Sequence, residues 1–234
     1  MHTEYIDHME NALSVVNLQS SKQSVTLMDH MGSDLTIVNA ARVSFDKMSE
    51  ELTESDKKLI AYLAKHRHMT PFRHSQVQIR CKAPIFIARQ LGKHQAGLSW
   101  NEVSRRYVDF EPEIHIPNEW RGRPDGSIKQ GSAGLVSQLN TFEPVNKAYS
   151  DHITRSLELY DEMIKSNIAP EMARMVLPQS MMTEWVWSGN ILALAHVYKE
   201  RIAFEAQDEV RKFAHLLDNI IQPLYPVSWE QLTK

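Results

Sequence analysis

The chain has one cysteine, Cys81, in 234 residues, so it can form neither an intramolecular disulfide nor a multi-cysteine metal site. It also lacks an apolar run of about 18 residues, which argues against a membrane-spanning helix. Met1-His2-Thr3-Glu4 shows no basic segment followed by an apolar one. No secretory signal is therefore visible, and a reducing, cytoplasmic home is expected. Charge of one sign is missing as well. Lys and Arg total 26 against 29 Asp and Glu, and the net charge of −3 gives no footprint for nonspecific nucleic-acid binding. Hydrophobic residues make up 42% and charged residues 24%, ordinary for a globular chain able to bury a substantial core.

Residues 1–20 carry little periodicity. Residues 24–38 read as a β-hairpin turning at Gly32-Ser33-Asp34, with Val25, Thr26 and Leu27 before it and Leu35, Ile37 and Val38 after it. An amphipathic helix is expected over 54–66, capped by Thr53 or Ser55, with Leu59, Tyr62 and Leu63 on its apolar face. The clearest strand alternates Val77, Ile79 and Cys81 with Gln78, Arg80 and Lys82, and Pro84 then suits the first turn of a helix through Leu91. Residues 109–144 hold four of the eight glycines and little periodicity, the pattern of a long functional or mobile loop. The remainder reads as helical over 146–166, 183–202 and 205–221; the last places Val210, Phe213, Ala214, Leu217 and Ile221 on one face. No repeat or linker divides the chain. The expectation is one α+β domain over 1–234, an antiparallel sheet with packed helices.

Four segments concentrate polar chemistry. His66-Arg67-His68-Met69-Thr70-Pro71-Phe72-Arg73-His74 crowds three histidines into a helix-to-strand connection, but no Cys or carboxylate falls at a zinc-ligand spacing nearby; the alternative is a solvated basic turn. Residues 89–107 pack cations and amides around Gly92 and Gly97 without forming either glycine-rich phosphate-binding signature. Arginines there suit a phosphate and amides suit the edge of a base. The alternative is an ordinary charged helix end. In the third segment, Glu171 and Arg174 have the spacing of a simple helix ion pair. In the fourth, Arg201 shares a helical face with Leu194 and Val197, so its guanidinium either finds a partner or snorkels at the helix end.

Together these segments resemble the flavin-dependent thymidylate synthases over about residues 25–211. The motifs that carry the resemblance are His68-x-Thr70-Pro71-Phe72, the run from Lys82 to Gln90, and Asn101-Glu102-x-Ser104-x-Arg106-Tyr107. Arg174-Met175-Val176-Leu177-Pro178, Thr183-Glu184-x-x-Trp187-x-x-Asn190 and Ala206-Gln207-x-Glu209-Val210-Arg211 follow, in the family's order. The family signature opens Arg-His-Arg, whereas this chain reads Lys93-His94-Gln95, with one residue more before Ser104. Leu192, His196 and Glu205 also depart from the usual residues.

The resemblance implies conversion of dUMP to dTMP, with methylenetetrahydrofolate as carbon donor, NADPH as reductant, FAD as hydride carrier and no metal. It further implies a homotetramer with shared active sites, and no nucleic-acid or membrane partner. Carried over position by position, it puts Gln90, Leu91, Gly92, Lys93, Glu102, Val103, Ser104, Arg105, Arg106, Arg174 and Arg201 at the nucleotide. Ser44, His68, Thr70, Lys93, His94, Gln95, Ala96, Glu102, Asn190, Ile191, Leu192 and His196 fall at the flavin. Arg201 matches the arginine thought to favour the ionised uracil. The alternatives are an enzyme that leaves a hydroxymethyl group on the nucleotide and a noncatalytic flavin- or nucleotide-binding relative.

Overall fold

The computed structural model describes residues 20–124, 126 and 131–234. Most of the unpatterned N-terminal stretch, and part of the 109–144 connection, lie outside the described residues. The elements run β1 (Ser24–Met31), α1 (Asp34–Arg42), α2 (Glu54–Lys65), β2 (Gln76–Pro84), α3 (Ile85–Leu91), β3 (Leu98–Glu102), β4 (Arg121–Gly122), β5 (Ala133–Leu135), α4 (Val145–Lys165), α5 (Pro170–Ala173), β6 (Met182–Asn190), α6 (Ile191–Ile202), α7 (Asp208–Ile221) and α8 (Pro226–Thr233). The main sheet has the order β1-β2-β6-β3 and is antiparallel throughout. This is the α+β architecture expected from the sequence. No helix among the described residues is long and apolar enough to cross a membrane.

The sheet forms where side chains alternate. Val77, Ile79, Cys81 and Ala83 of β2 point into the core, and Trp185 and Trp187 of β6 lie opposite Cys81 and Ile79. From edge strand β3, Trp100 stacks on Trp185 with ring centroids 4.2 Å apart. Helices α6, α7 and α8 pack on this face through Leu194, Val197, the expected apolar face of α7, and Trp229.

The expected 24–38 hairpin is wrong in its second half. Gly32, at φ +89°, turns the chain, and the Ser33 N–H donates to Thr36 Oγ1 at 3.0 Å. That cap starts helix α1 despite the β-branched residues that follow. Asp34, almost fully buried, accepts from the N–H groups of Val227 and Ser228 at 2.9 and 2.8 Å, and so anchors the unforeseen α8. Residues 183–202 are likewise not one helix. β6 occupies the first part, and α6 begins where the Asn190 side chain accepts from the Ala193 N–H at 2.9 Å. On α2 the cap is Thr53, but Ile60 takes the core position expected of Tyr62, which is exposed. Pro84 is the residue before α3 rather than part of its first turn. Among its described residues the 109–144 connection is mostly irregular, as expected, apart from the short β4–β5 pair.

Candidate active site

Two neighbouring clefts gather nine of the twenty-one candidate residues, and Glu102 and Ile85 line both. The first cleft, about 540 Å³, lies across the ends of β2 and β6 and holds Val103, Ser104, Arg105 and Arg174. Its cations are not equivalent. Arg80 donates to Glu184 at 2.8 Å and Lys82 to Glu113 at 2.6 Å, so both are neutralised by the protein. Arg105 is only 7% exposed; it donates to the Phe110 carbonyl and stacks over that ring at 4.2 Å. Arg174 is exposed, and its Nε donates only to the main-chain oxygen of Glu171 at 3.3 Å. The ion pair expected between Glu171 and Arg174 is absent: the Glu171 carboxylate lies 3.6 Å from Arg106. Among the described residues of this cleft, Arg174, which shares its lining with Ser104, is therefore the exposed cation without a charged partner.

The second cleft, about 480 Å³, is built by the α3–β3 loop. Arg89, Gly92, Lys93, His94 and Gln95 line it above Trp100, and Ala96 is exposed beside them. The loop is pinned at Gly97, φ +77°, where an added Cβ would sit 2.7 Å from Asn190 Nδ2. The Glu102 carboxylate accepts from Thr183 Oγ1 at 2.7 Å and from Trp100 Nε1 at 3.2 Å, so it is held in place rather than reaching out.

Arg201 reaches this loop from α6. Its Nε donates to His94 Nε2 at 3.0 Å and its Nη2 to the Gln90 carbonyl at 3.3 Å. Both partners are uncharged, and no carboxylate pairs with Arg201 among the described residues. For Nε2 to accept, His94 must be neutral with its proton on Nδ1. Burial, and then the nearby Arg201 and His196, hold the His94 pKa below the ordinary histidine value, against a weaker opposite pull from Glu200. The His196 ring stands edge-on to His94 with centroids 5.6 Å apart. Gln90 donates through Nε2 to Gln207 Oε1 at 2.8 Å, a pairing that sequence spacing could not reveal.

Other candidates sit apart or inward. Leu91 and Ile191 are fully buried in the core, and Leu192 packs against it. In the motif carrying His68 and Thr70, Phe72 is the buried anchor, while both polar residues are exposed. Ser44 lies on an exposed turn away from both clefts. Cys81 is completely buried, and burial alone pushes its thiol pKa strongly up. Among the described residues, no three His, Cys, Asp or Glu side chains are arranged to hold a metal ion.

A family model described as "Thymidylate synthase complementing protein" matches residues 26–227. The chain belongs to the flavin-dependent thymidylate synthase family. Relatives bearing that family's name include the protein from Thermus thermophilus, 36% identical over 94% of this chain and 78% of its own length. The one from Thermosipho africanus is 34% identical over 91% and 92%. The solved structure of a UMP/dUMP methylase, PolB from Streptomyces cacaoi, bound with 5-Br dUMP, superposes with a TM-score of 0.78 at 29% identity. The match covers 92% of this chain and 96% of that one. Lys93 and Gln95, the two departures noted in the sequence, both stand on the loop of the second cleft.

Proposed function

We propose that the protein is a flavin-dependent thymidylate synthase that converts dUMP to dTMP, taking the carbon from methylenetetrahydrofolate and reducing equivalents from NADPH. The observation that carries this reading is Arg201, a guanidinium held only by neutral acceptors beside a cleft of cations and amides. Its charge is left to stabilise negative charge developing on a uracil ring, the electrostatic role that replaces a cysteine adduct. Ser104 and Arg174 would take the nucleotide phosphate, with Arg106 beyond them. A site divided between two clefts of one chain also suits a homotetramer whose subunits complete one another's sites.

The loop's donor set fits FAD: Arg89 and Lys93 offer cations for phosphates, His94 and Gln95 offer ring contacts, and Trp100 supplies an apolar floor. FAD, when bound, supplies the hydride. The chain's own task is to position and polarise the pyrimidine. Adding dUMP to purified protein with FAD, NADPH and methylenetetrahydrofolate should yield dTMP by mass. A hydroxymethyl product, or NADPH oxidation with no nucleotide product, would overturn the reading.

Two substitutions follow. Cys81→Ala should lower stability by roughly 1 kcal/mol, the scale of a small core truncation, and leave turnover intact because a buried, protonated thiol is no nucleophile. Loss of turnover in a folded, FAD-loaded variant would count against the mechanism. Lys93→Arg with Gln95→Arg should tighten FAD binding by roughly 5- to 10-fold, since a planar fork makes two charge-assisted bonds where Lys makes a point contact. Weaker FAD binding in a fluorescence titration would show that the extra residue turns this loop away from the flavin.

A further inference from the structure

One chain of hydrogen bonds runs from the long connection to the contact between Gln90 and Arg201. It begins at Arg121, whose Nη2 donates to both oxygens of the buried Glu209 at 2.6 and 2.7 Å. The Gln207 side chain also donates to that carboxylate. Gln90 Nε2 donates to Gln207 Oε1 at 2.8 Å, and Arg201 Nη2 donates to the Gln90 carbonyl at 3.3 Å. The chain thus joins β4, the start of α7, α3 and the end of α6.

Its direction is set at the Arg121 end. Glu209, its pKa lowered, is ionised at neutral pH, and an ionised carboxylate only accepts. Gln207 must therefore turn its Nε2 toward Glu209, because its own oxygen there would meet another oxygen. That leaves Gln207 Oε1 for Gln90, and only an N–H can answer it. The Gln90 amide is held with Nε2 toward Gln207 and Oε1 as its free end. An amide without such a partner has no preference of this kind. Its two ends have nearly the same shape and exchange by a half-turn of the last torsion.

We propose that Gln207 is a positioning residue: it fixes which end of the Gln90 amide meets the nucleotide, so that Gln90 presents an acceptor and reads a hydrogen-bond donor of dUMP. The inference rests on the proposed function, with Gln90 among the nucleotide contacts. The donor has two sources in dUMP, the N3–H of the uracil and the 3′-hydroxyl of the sugar. A fixed acceptor rejects a nucleotide that lacks the donor, whereas an amide free to turn discriminates less.

The test uses FAD-loaded parent, Gln207→Met, Gln90→Ala and the double variant, each checked for an unchanged melting temperature. Calorimetry measures binding of dUMP, of 2′,3′-dideoxyuridine monophosphate and of N3-methyl-dUMP, and kcat and KM are measured with dUMP. In the parent, the analogue without the donor should bind roughly three- to tenfold more weakly than dUMP, the worth of one hydrogen bond. In Gln207→Met that gap should close to within about twofold. The loss with dUMP should fall on KM rather than kcat, and FAD affinity should stay within about twofold. Gln207→Ala, which removes the same oxygen with less bulk, should repeat the result. On the Gln90→Ala background, Gln207→Met should weaken dUMP no further, because it acts through that amide.

A gap that closes for the dideoxy nucleotide identifies the sugar hydroxyl as the group read, and one that closes for N3-methyl-dUMP identifies the uracil. Gaps that are absent in the parent, or that persist for both analogues in Gln207→Met, overturn the proposal. So does a loss from Gln207→Met that is just as large without the Gln90 amide. A parent that binds dUMP and makes no dTMP fails the functional reading alone, and the gaps still decide the role of Gln207. A parent that binds no dUMP overturns both.

Discussion

Replacing Arg201 by alanine is expected to lower dTMP formation by about 10²–10³-fold, the scale for losing one preorganised charge-stabilising donor. The fold and FAD binding should persist, because Arg201 leaves no buried carboxylate unpaired: its partners are the His94 ring and the Gln90 carbonyl. NADPH oxidation without dUMP should survive too, since that half-reaction does not involve the uracil. Arg201→Lys should recover only part of the loss. An ammonium group has no Nε–H to give His94 while a separate pair of N–H donors faces the pyrimidine. The same geometry predicts a pH dependence. The His94 pKa is depressed, first by burial and then by Arg201 and His196, so its ring stays neutral and accepting down to a pH below the ordinary histidine value of about 6.5. As pH falls through the depressed value, Nε2 gains a proton and two cations face each other. Parent activity should therefore fall on the acid side, and His94→Gln, which keeps an acceptor without titrating, should remove that fall. Measuring both half-reactions across pH checks the pair. If dTMP formation by Arg201→Ala stays within about threefold of the parent, only ~0.7 kcal/mol in barrier, Arg201 is a structural helix residue.

The legible parts of the fold are those where one local period decides the outcome. β2 alternates strictly, and α7 keeps its apolar residues on one face, so each can be read without knowing its neighbours. Elsewhere local propensity loses to a cap. Ile37 and Val38 look like strand residues, but the Ser33–Thr36 contact starts a helix that buries both. Trp185 and Trp187 can be placed on either period, and only pairing with β2 and stacking on Trp100 make their segment the central strand. The site behaves similarly. The motifs name the loop, but whether Arg201 meets a carboxylate or a neutral ring depends on how α6 packs against the α3–β3 loop. Sequence spacing suggested a Glu171–Arg174 pair, whereas the tertiary path gives the Glu171 carboxylate to Arg106.

Arg121→Ala should destabilise the fold by about 3 kcal/mol, the lower end of what breaking a buried ion pair costs. Arg121 comes from β4 in the long connection, and its Nη2 donates to both oxygens of Glu209 at 2.6 and 2.7 Å. Glu209 is only 6% exposed, at the start of α7. Burial pushes the Glu209 carboxyl upward, but bonding and charge from Arg121, with bonds from the Glu209 backbone N–H and from Gln207, outweigh it, and the pKa is lowered overall. A depressed carboxylate contributes stability above its unfolded pKa and loses it as pH falls through the folded value. Without Arg121 the burial effect is opposed only by bonds from the Glu209 backbone N–H and from Gln207, so the depression shrinks. The variant therefore loses less stability than the parent as pH drops from 7 toward 4, and its deficit narrows. In a protein of this size the neutral-pH deficit corresponds to a fall of roughly 6–12 °C in melting temperature. Adding Glu209→Gln to Arg121→Ala should recover part of that fall at pH 7, because an amide carries no charge to strand. Thermal unfolding of the parent, the single and the double variants at pH 7 and pH 4.5 decides the matter. A deficit for Arg121→Ala that is the same at both pH values would mean that Glu209 reaches water once its partner is gone, and that β4 is held to α7 by packing instead of by this pair.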